Sequence, residues 1–312
     1  MLRGIFPIVF TPFDRDGNID ERSLRRVVRF ELGDDVDGIG VGGFASEAYK
    51  LTEDERLQIA EIVADEAGGA KPLIIGMAAG STAAAIQQAR RLGQLRPAAL
   101  MVLPPNTMKL DEQALVEHYI RLADAIEVPI MVQMSPQIMA YAGCNLSTDA
   151  LVRIAEHTAN VLYFKIEGPG SAERIAALHE RLGERVTLLG GIGGLGLREE
   201  LQAGAAGLLP GCGFNEYFVR IWAAWQRGDT AEVDRILTHI QPLVTAVSGR
   251  GHEFSLHARK ALFRRAGLIE DATVRWPTVE PAEDELNAVI ELGEKLSLRL
   301  FTERKPELPD NR

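Results

Sequence analysis

Val161-Leu162-Tyr163-Phe164-Lys165-Ile166-Glu167 is a short apolar run with two charges set into its far end. It is too short for a core helix, and its Val, Ile, Tyr and Phe favour extended backbone. Continuous apolar character suits a strand buried on both faces of a parallel sheet. Runs of the same kind recur at residues 4–10, 38–43, 72–78, 98–104, 129–134, 186–192 and 206–211. Pro72 and Pro129 open their runs, where a missing N–H costs least.

Between the runs lie segments of helical period with sensible starts. Thr52 precedes Glu53-Asp54-Glu55, Ser81 precedes an Ala-rich stretch, and Ser147 precedes Thr148-Asp149. Such residues cap helix N-termini and suit the helix dipole. Eight strands, each followed by a helix, predict an α/β chain folded as a (β/α)8 TIM barrel; an open doubly wound sheet would stop nearer about six strands. After residue 211 the strand signals end, and 213–227, 229–249, 253–267 and 280–302 read as helices. The expected organisation is a catalytic barrel over 1–227 and a small C-terminal helical region over 228–312. The tail 303–312, with Pro306 and Pro309, reads as frayed.

The composition is that of a soluble enzyme, 46% hydrophobic and 25% charged. The net charge is −10, from 34 basic and 44 acidic residues, and no basic stripe interrupts it. Nucleic acid is therefore not an expected partner. No apolar run reaches the ~18 residues of a membrane span, and MLRGIFPIVFTPF lacks the apolar core and cleavage site of a signal peptide. Cys144 and Cys212 are far apart and outside any CxxC spacing, which reads as two free thiols in a reducing, cytoplasmic setting. The six histidines show no HxH or HExxH spacing, so no metal is expected.

In a barrel, chemistry gathers at the C-terminal ends of the strands. Period-2 alternation puts Tyr163, Lys165 and Glu167 on one face of the sixth run and Phe164 and Ile166 on the other. Burying an ammonium disfavours its charged form and leaves an amine that attacks carbonyls. Glu167 is placed to act as a general base or acid, or to pair with that lysine. A Lys–Glu pair that only braces the barrel mouth is the bland alternative, though buried ion pairs are poor stabilisers. Gln133, near the end of PIMVQMSP, needs a hydrogen-bond partner in the barrel mouth. Ala45 and Ser46, in GIGVGGFASE, offer backbone N–H groups and a hydroxyl as a carboxylate cradle, or else a tight turn with Glu47 in a surface or subunit salt bridge. Gly191 and Gly211 allow close backbone approach to a substrate in the loops after the seventh and eighth runs. Glycine-rich loops at 190–194 and 211–213 also fit a phosphate site, which leaves Lys165 unexplained.

Together these stretches resemble the dihydrodipicolinate synthase/N-acetylneuraminate lyase family of class I aldolases and dehydratases. GIFPIVFTPF with GNID, GGFASE with LTEDER, YFKIE, and LLGGIGG with AAGLLPG occur in the family's order over essentially the whole chain. The resemblance implies a Schiff base on Lys165, a small 2-oxo acid substrate, no cofactor and a homotetramer. The family's Gly-Thr-Thr-Gly-Glu motif is altered, with Phe44 and Ala45 at the threonines and Ser46 at the second glycine. Gln133 replaces the proton-shuttling tyrosine, and Leu103-Pro104-Pro105-Asn106-Thr107 lacks the aromatic lent across the subunit interface. GxxSE, PIMVQ and FKIExPG are more similar to sugar-acid dehydratases of the L-2-keto-3-deoxyarabonate dehydratase type. That likeness implies Lys165 as nucleophile, Glu167 as base, and Gln133 and Ser46 as residues that orient the substrate. Aldol cleavage and a non-catalytic 2-oxo acid-binding relative remain alternatives.

Overall fold

The computed structural model describes residues 1–303; most of the tail read as frayed lies outside them. Strands and helices alternate. The first half runs β1 (Gly4–Ile5), α1 (Glu21–Leu32), β2 (Ile39–Val41), α2 (Glu53–Ala67), β3 (Leu73–Met77), α3 (Thr82–Gly93), β4 (Ala99–Val102) and α4 (Glu112–Ala125). It continues with β5 (Ile130–Met134), α5 (Thr148–His157), β6 (Val161–Ile166), α6 (Ser171–Leu182), β7 (Thr187–Leu189), α7 (Leu197–Gln202), β8 (Gly207–Leu208) and α8 (Asn215–Gln226). Four further helices follow: α9 (Thr230–Ser248), α10 (His252–Arg265), α11 (Glu283–Lys295) and α12 (Arg299–Thr302). The chain is an α/β protein made of two compact units, Met1–Gly4 with Pro72–Leu209, and Ile5–Lys71 with the described residues from Pro210 onward.

In the first unit β3 to β7 are parallel and in sequence order, with Ile74 beside Ala99, Leu100 beside Ile130, and Tyr163 beside Thr187. Gly190 continues this order by bridging in parallel to Leu208, and Gly4 N–H donates to Ala206 O at 2.8 Å. The strand residues are almost all buried, as their continuous apolar character requires. Between β5 and β6 the pairing is irregular: Ile130 faces Val161 but Met131 faces Tyr163, leaving Leu162 as an extra residue. From there the ladder is regular, and Gln133 lies beside Lys165.

In the second unit Ile8 bridges in parallel to both Gly40 and Gly211. The strand expected over 4–10 is shorter than its apolar run, because Pro7 has no N–H to give a ladder. Its carbonyl still accepts from Gly40 N–H at 2.8 Å. Thr52 caps α2 in a full capping box with Glu55, and Ser81 and Ser147 cap α3 and α5 as the sequence predicts. The single helix expected over 280–302 is instead α11 and α12. The chain turns at Ser297, whose φ is +52°, and Tyr217 Oη donates to the Leu296 carbonyl freed there at 2.9 Å. No helix among the described residues is long and apolar enough to cross a membrane.

Candidate active site

The pairing of β5 with β6 builds a site inside the first unit. Lys165 Nζ lies 3.2 Å from Glu167 Oε1, and the same oxygen accepts the Ile192 N–H at 3.1 Å. The other oxygen, Oε2, accepts from Gln133 Nε2 at 3.1 Å and from the Ser135 hydroxyl. Gln133 Nε2 also donates to Ser135 Oγ at 3.0 Å, so the two side chains fix each other. Lys165 is 5% exposed and Glu167 7%. Burial pushes the Glu167 carboxyl up, but Lys165, Ser135, Gln133 and the Ile192 N–H outweigh it and hold the group below its usual value. Glu167 is therefore an oriented carboxylate at neutral pH. Among the described residues Lys165 has this one polar partner, so its amine is placed but not saturated.

The glycines after β7 shape the same place. A Cβ on Gly191 would fall on the Glu167 carboxylate, and one on Gly190 would fall on the carboxyl of Glu200. Only glycine lets both acids pack against this backbone. A cavity of about 240 Å³ opens beside them, lined by Pro136, Gln137, Asn145, Glu167, Ser171 and Arg174 among others. Arg174 Nη1 is held by Asn145 Oδ1 at 2.7 Å and by Leu146 O at 3.1 Å.

Ala45, Ser46 and Gly211 belong to the second unit. Phe44, Ala45 and Ser46 form a short 3₁₀ turn. The Ser46 hydroxyl donates to Val9 O at 2.5 Å and accepts the Gly42 N–H at 2.9 Å, so it is spent on backbone. Glu47, with φ at +55°, turns inward. It forms an ion pair with Lys260, accepts the Arg275 N–H at 3.0 Å and lies 3.5 Å from Lys50 Nζ. The sequence offered a surface or subunit salt bridge for Glu47; the pair found is instead fully buried. At Gly211 a Cβ would come within 2.8 Å of Arg259 Nε, so that glycine makes room for a buried guanidinium. Burial lowers Arg259 to about 10.

The phosphate-site reading loses support here. The Ile192 and Gly213 N–H groups are given to Glu167 and Glu31, at 3.1 and 3.0 Å. Two side-chain carboxyls take the donors that a phosphate would need. Among the described residues no three His, Cys, Asp or Glu are grouped to hold a metal ion.

Residues 1–295 match the family model described as the dihydrodipicolinate synthetase family. The chain belongs to that family. It is 31% identical over 298 residues to L-2-keto-3-deoxyarabonate dehydratase from Azospirillum brasilense, covering 94% of each chain. It is also 31% identical over 191 residues to 4-hydroxy-tetrahydrodipicolinate synthase from Pelobacter propionicus, covering 61% of this chain and 64% of that one. Among solved structures, dihydrodipicolinate synthase from Aquifex aeolicus superposes with a TM-score of 0.85 at 23% identity, over 96% of this chain and 99% of that one. N-acetylneuraminate lyase from Mycoplasma synoviae gives 0.81 at 21%, over 95% and 98%. These likenesses carry the fold, and family membership makes the chain a lyase of the class I aldolase/lyase group.

Within this dihydrodipicolinate synthetase relative, the structure brings together Lys165, Glu167, Gln133 and the backbone at Gly191. Ser135 was missed, although it stands two residues beyond Gln133 on the same face of PIMVQMSP and period-2 alternation finds it. Glu200 and Lys260 carried no such signal, since each sits in a helical segment rich in charge that reads as solvated.

Proposed function

We propose that this chain is a Schiff-base lyase that dehydrates a 2-keto-3-deoxy sugar acid. One observation carries the reading: a buried lysine with a single polar partner among the described residues stands 3.2 Å from a carboxylate that other groups hold in place. Lys165 attacks the C2 ketone and water leaves, giving a protonated imine. That imine withdraws electrons from C3, and Glu167 takes a C3 proton to leave an enamine. The enamine expels the C4 hydroxyl as water, and hydrolysis of the imine frees Lys165. Gln133 orients Glu167 and the substrate.

The likeness to a keto-deoxy sugar-acid dehydratase over 94% of both chains supports elimination over aldol cleavage. Glu167 also supplies a base where the tyrosine shuttle is absent. Roles for Ala45, Ser46, Gly191 and Gly211 in holding the substrate belong to the same proposal and rest on the resemblance. A homotetramer rests on it too, while a closed (β/α)8 barrel over 1–227 and a helical region over 228–312 are proposed from the strand count, and a cytoplasmic location from the two free thiols.

Borohydride reduction in the presence of pyruvate and a panel of 2-keto-3-deoxy sugar acids tests the reading by peptide mass. A reduced adduct on Lys165, with loss of water from a sugar acid, is expected. Pyruvate released from a sugar acid would make the enzyme an aldolase instead. No adduct with any 2-oxo acid in folded protein would sink the Schiff-base mechanism.

A further inference from the structure

Dehydration removes a proton and a hydroxyl group, so it needs an acid as well as a base, and Glu167 accounts for the base alone. We propose that Glu200 is the acid, delivering a proton through the Ser171 hydroxyl to the oxygen that leaves C4. The inference rests on the dehydratase reading above.

Glu200 lies on α7, is 3% exposed, and packs its carboxyl against Gly190 as Glu167 packs against Gly191. Ser171 Oγ is 2.7 Å from Glu200 Oε1, whereas Oε2 is buried with no hydrogen-bond partner among the described residues. A buried carboxylate with an empty oxygen is costly, and a carboxylic acid in that place is not. Ser171 and Glu167 line the same cavity, so the relay opens where the base is. The groups facing Glu200 agree. Burial raises it to about 7 against the Ser171 hydrogen bond, and Glu167 and Glu199 push it the same way. The helix packed against α7, α6, also carries His179, which sits farther along at Gly204. Two neighbouring carboxyls driven in opposite directions mark an acid and a base.

The step balances. Glu167 takes the C3 proton, and the C3–H electron pair passes through the enamine to form the C3–C4 double bond. The C4–O bond breaks toward oxygen, which takes the Ser171 hydrogen while Ser171 takes that of Glu200. Water leaves, Glu200 is ionised and Glu167 is protonated. Exchange through the cavity resets both. Ser171 can turn its hydrogen outward because a protonated Glu200 donates to its oxygen.

The test compares two reactions of the full-length enzyme. Exchange of the pyruvate methyl protons in D2O, followed by NMR, needs Lys165 and Glu167 but no leaving group. Dehydration of the 2-keto-3-deoxy sugar acid that the wild type turns over needs both halves. Glu200→Gln is expected to exchange pyruvate within a few-fold of wild type, to dehydrate roughly 10²-fold more slowly, and to lose the fall in kcat as pH rises through about 7. Ser171→Ala, which leaves the buried carboxyl in place, is expected to show the same split even if Glu200→Gln does not fold. Retention of the alkaline limb in either folded variant overturns the relay, as does equal loss of exchange and dehydration. Wild-type enzyme that traps no 2-oxo acid on Lys165 removes the parent reading and this inference with it. Trapping with an unchanged limb removes only the inference.

Discussion

Each unit of the molecule contains a buried lysine–glutamate pair, and the two are built differently. Lys260 and Glu47 are both 0% exposed. Lys260 Nζ donates to Glu47 and to Thr273 O at 2.7 Å, and sits 4.5 Å from the Phe13 ring centroid. The second oxygen of Glu47 is taken by the Arg275 N–H. Lys165 and Glu167 are nearly as buried, yet only the carboxylate is saturated; the amine has a single contact among the described residues. Burial does not separate the pair assigned to structure from the pair proposed for catalysis. What separates them is whether the lysine's donors are already committed.

The contrast is sharpest at the lysines. Lys165→Ala is expected to abolish the borohydride adduct and drop turnover by ~10⁴-fold or more, the scale of losing a covalent nucleophile. Glu167→Gln keeps the nucleophile and loses the base, so the adduct should still form while kcat falls by about 10²–10⁴-fold. An equally fast Glu167→Gln enzyme would move the base elsewhere. Lys260→Met leaves Glu47 short of its main partner inside the protein and should cost about 3–5 kcal/mol, read as a lower Tm or denaturant midpoint. The folded fraction should still trap pyruvate on Lys165. If Lys260→Met lost trapping at unchanged Tm, the two pairs would not have the separate roles assigned to them.

A smaller effect follows from protons. Burial lowers Lys260 to about 8 against the pull of Glu47, while the unfolded chain holds that proton up to the ordinary lysine value of 10.5. Between those values the unfolded state binds more protons, so this group makes stability rise with pH. The stability gap between wild type and Lys260→Met should therefore widen from pH 8 toward 10.5, as measured by urea unfolding. A gap that narrows over that range would contradict the lowered value.

The strand order and the Lys165 site were legible because both rest on short-range rules. A charged residue in a run of Val, Ile and Phe has few places to go, and period-2 alternation puts Lys165, Glu167 and Gln133 on known faces. The helix caps at Thr52, Ser81 and Ser147 were legible for the same local reason. The second lysine–glutamate pair was not. Lys260 lies in HARKALFRR, where every basic residue reads as a snorkelling surface side chain, and its partner is 213 residues away. Glu200 in LREELQ was hidden in the same way: its burial comes from glycines that tolerate a carboxyl, and a glycine does not announce what occupies the space beside it. Nothing local in GGFASE reveals that Val9 O and the Gly42 N–H engage the Ser46 hydroxyl.

The surplus residue Leu162 has an editing consequence for β6. Counted regularly from the Ile130–Val161 pair, Lys165 would stand beside Met134, and a one-residue slip reverses the face each side chain presents. The bulge absorbs that residue and returns Lys165 to its place beside Gln133. The strand thus contains a slip joint. Upstream of Tyr163, one residue can be removed with the amine still reaching its station. Downstream, from Phe164 to Glu167, no residue can be added or lost without turning the amine away from its base.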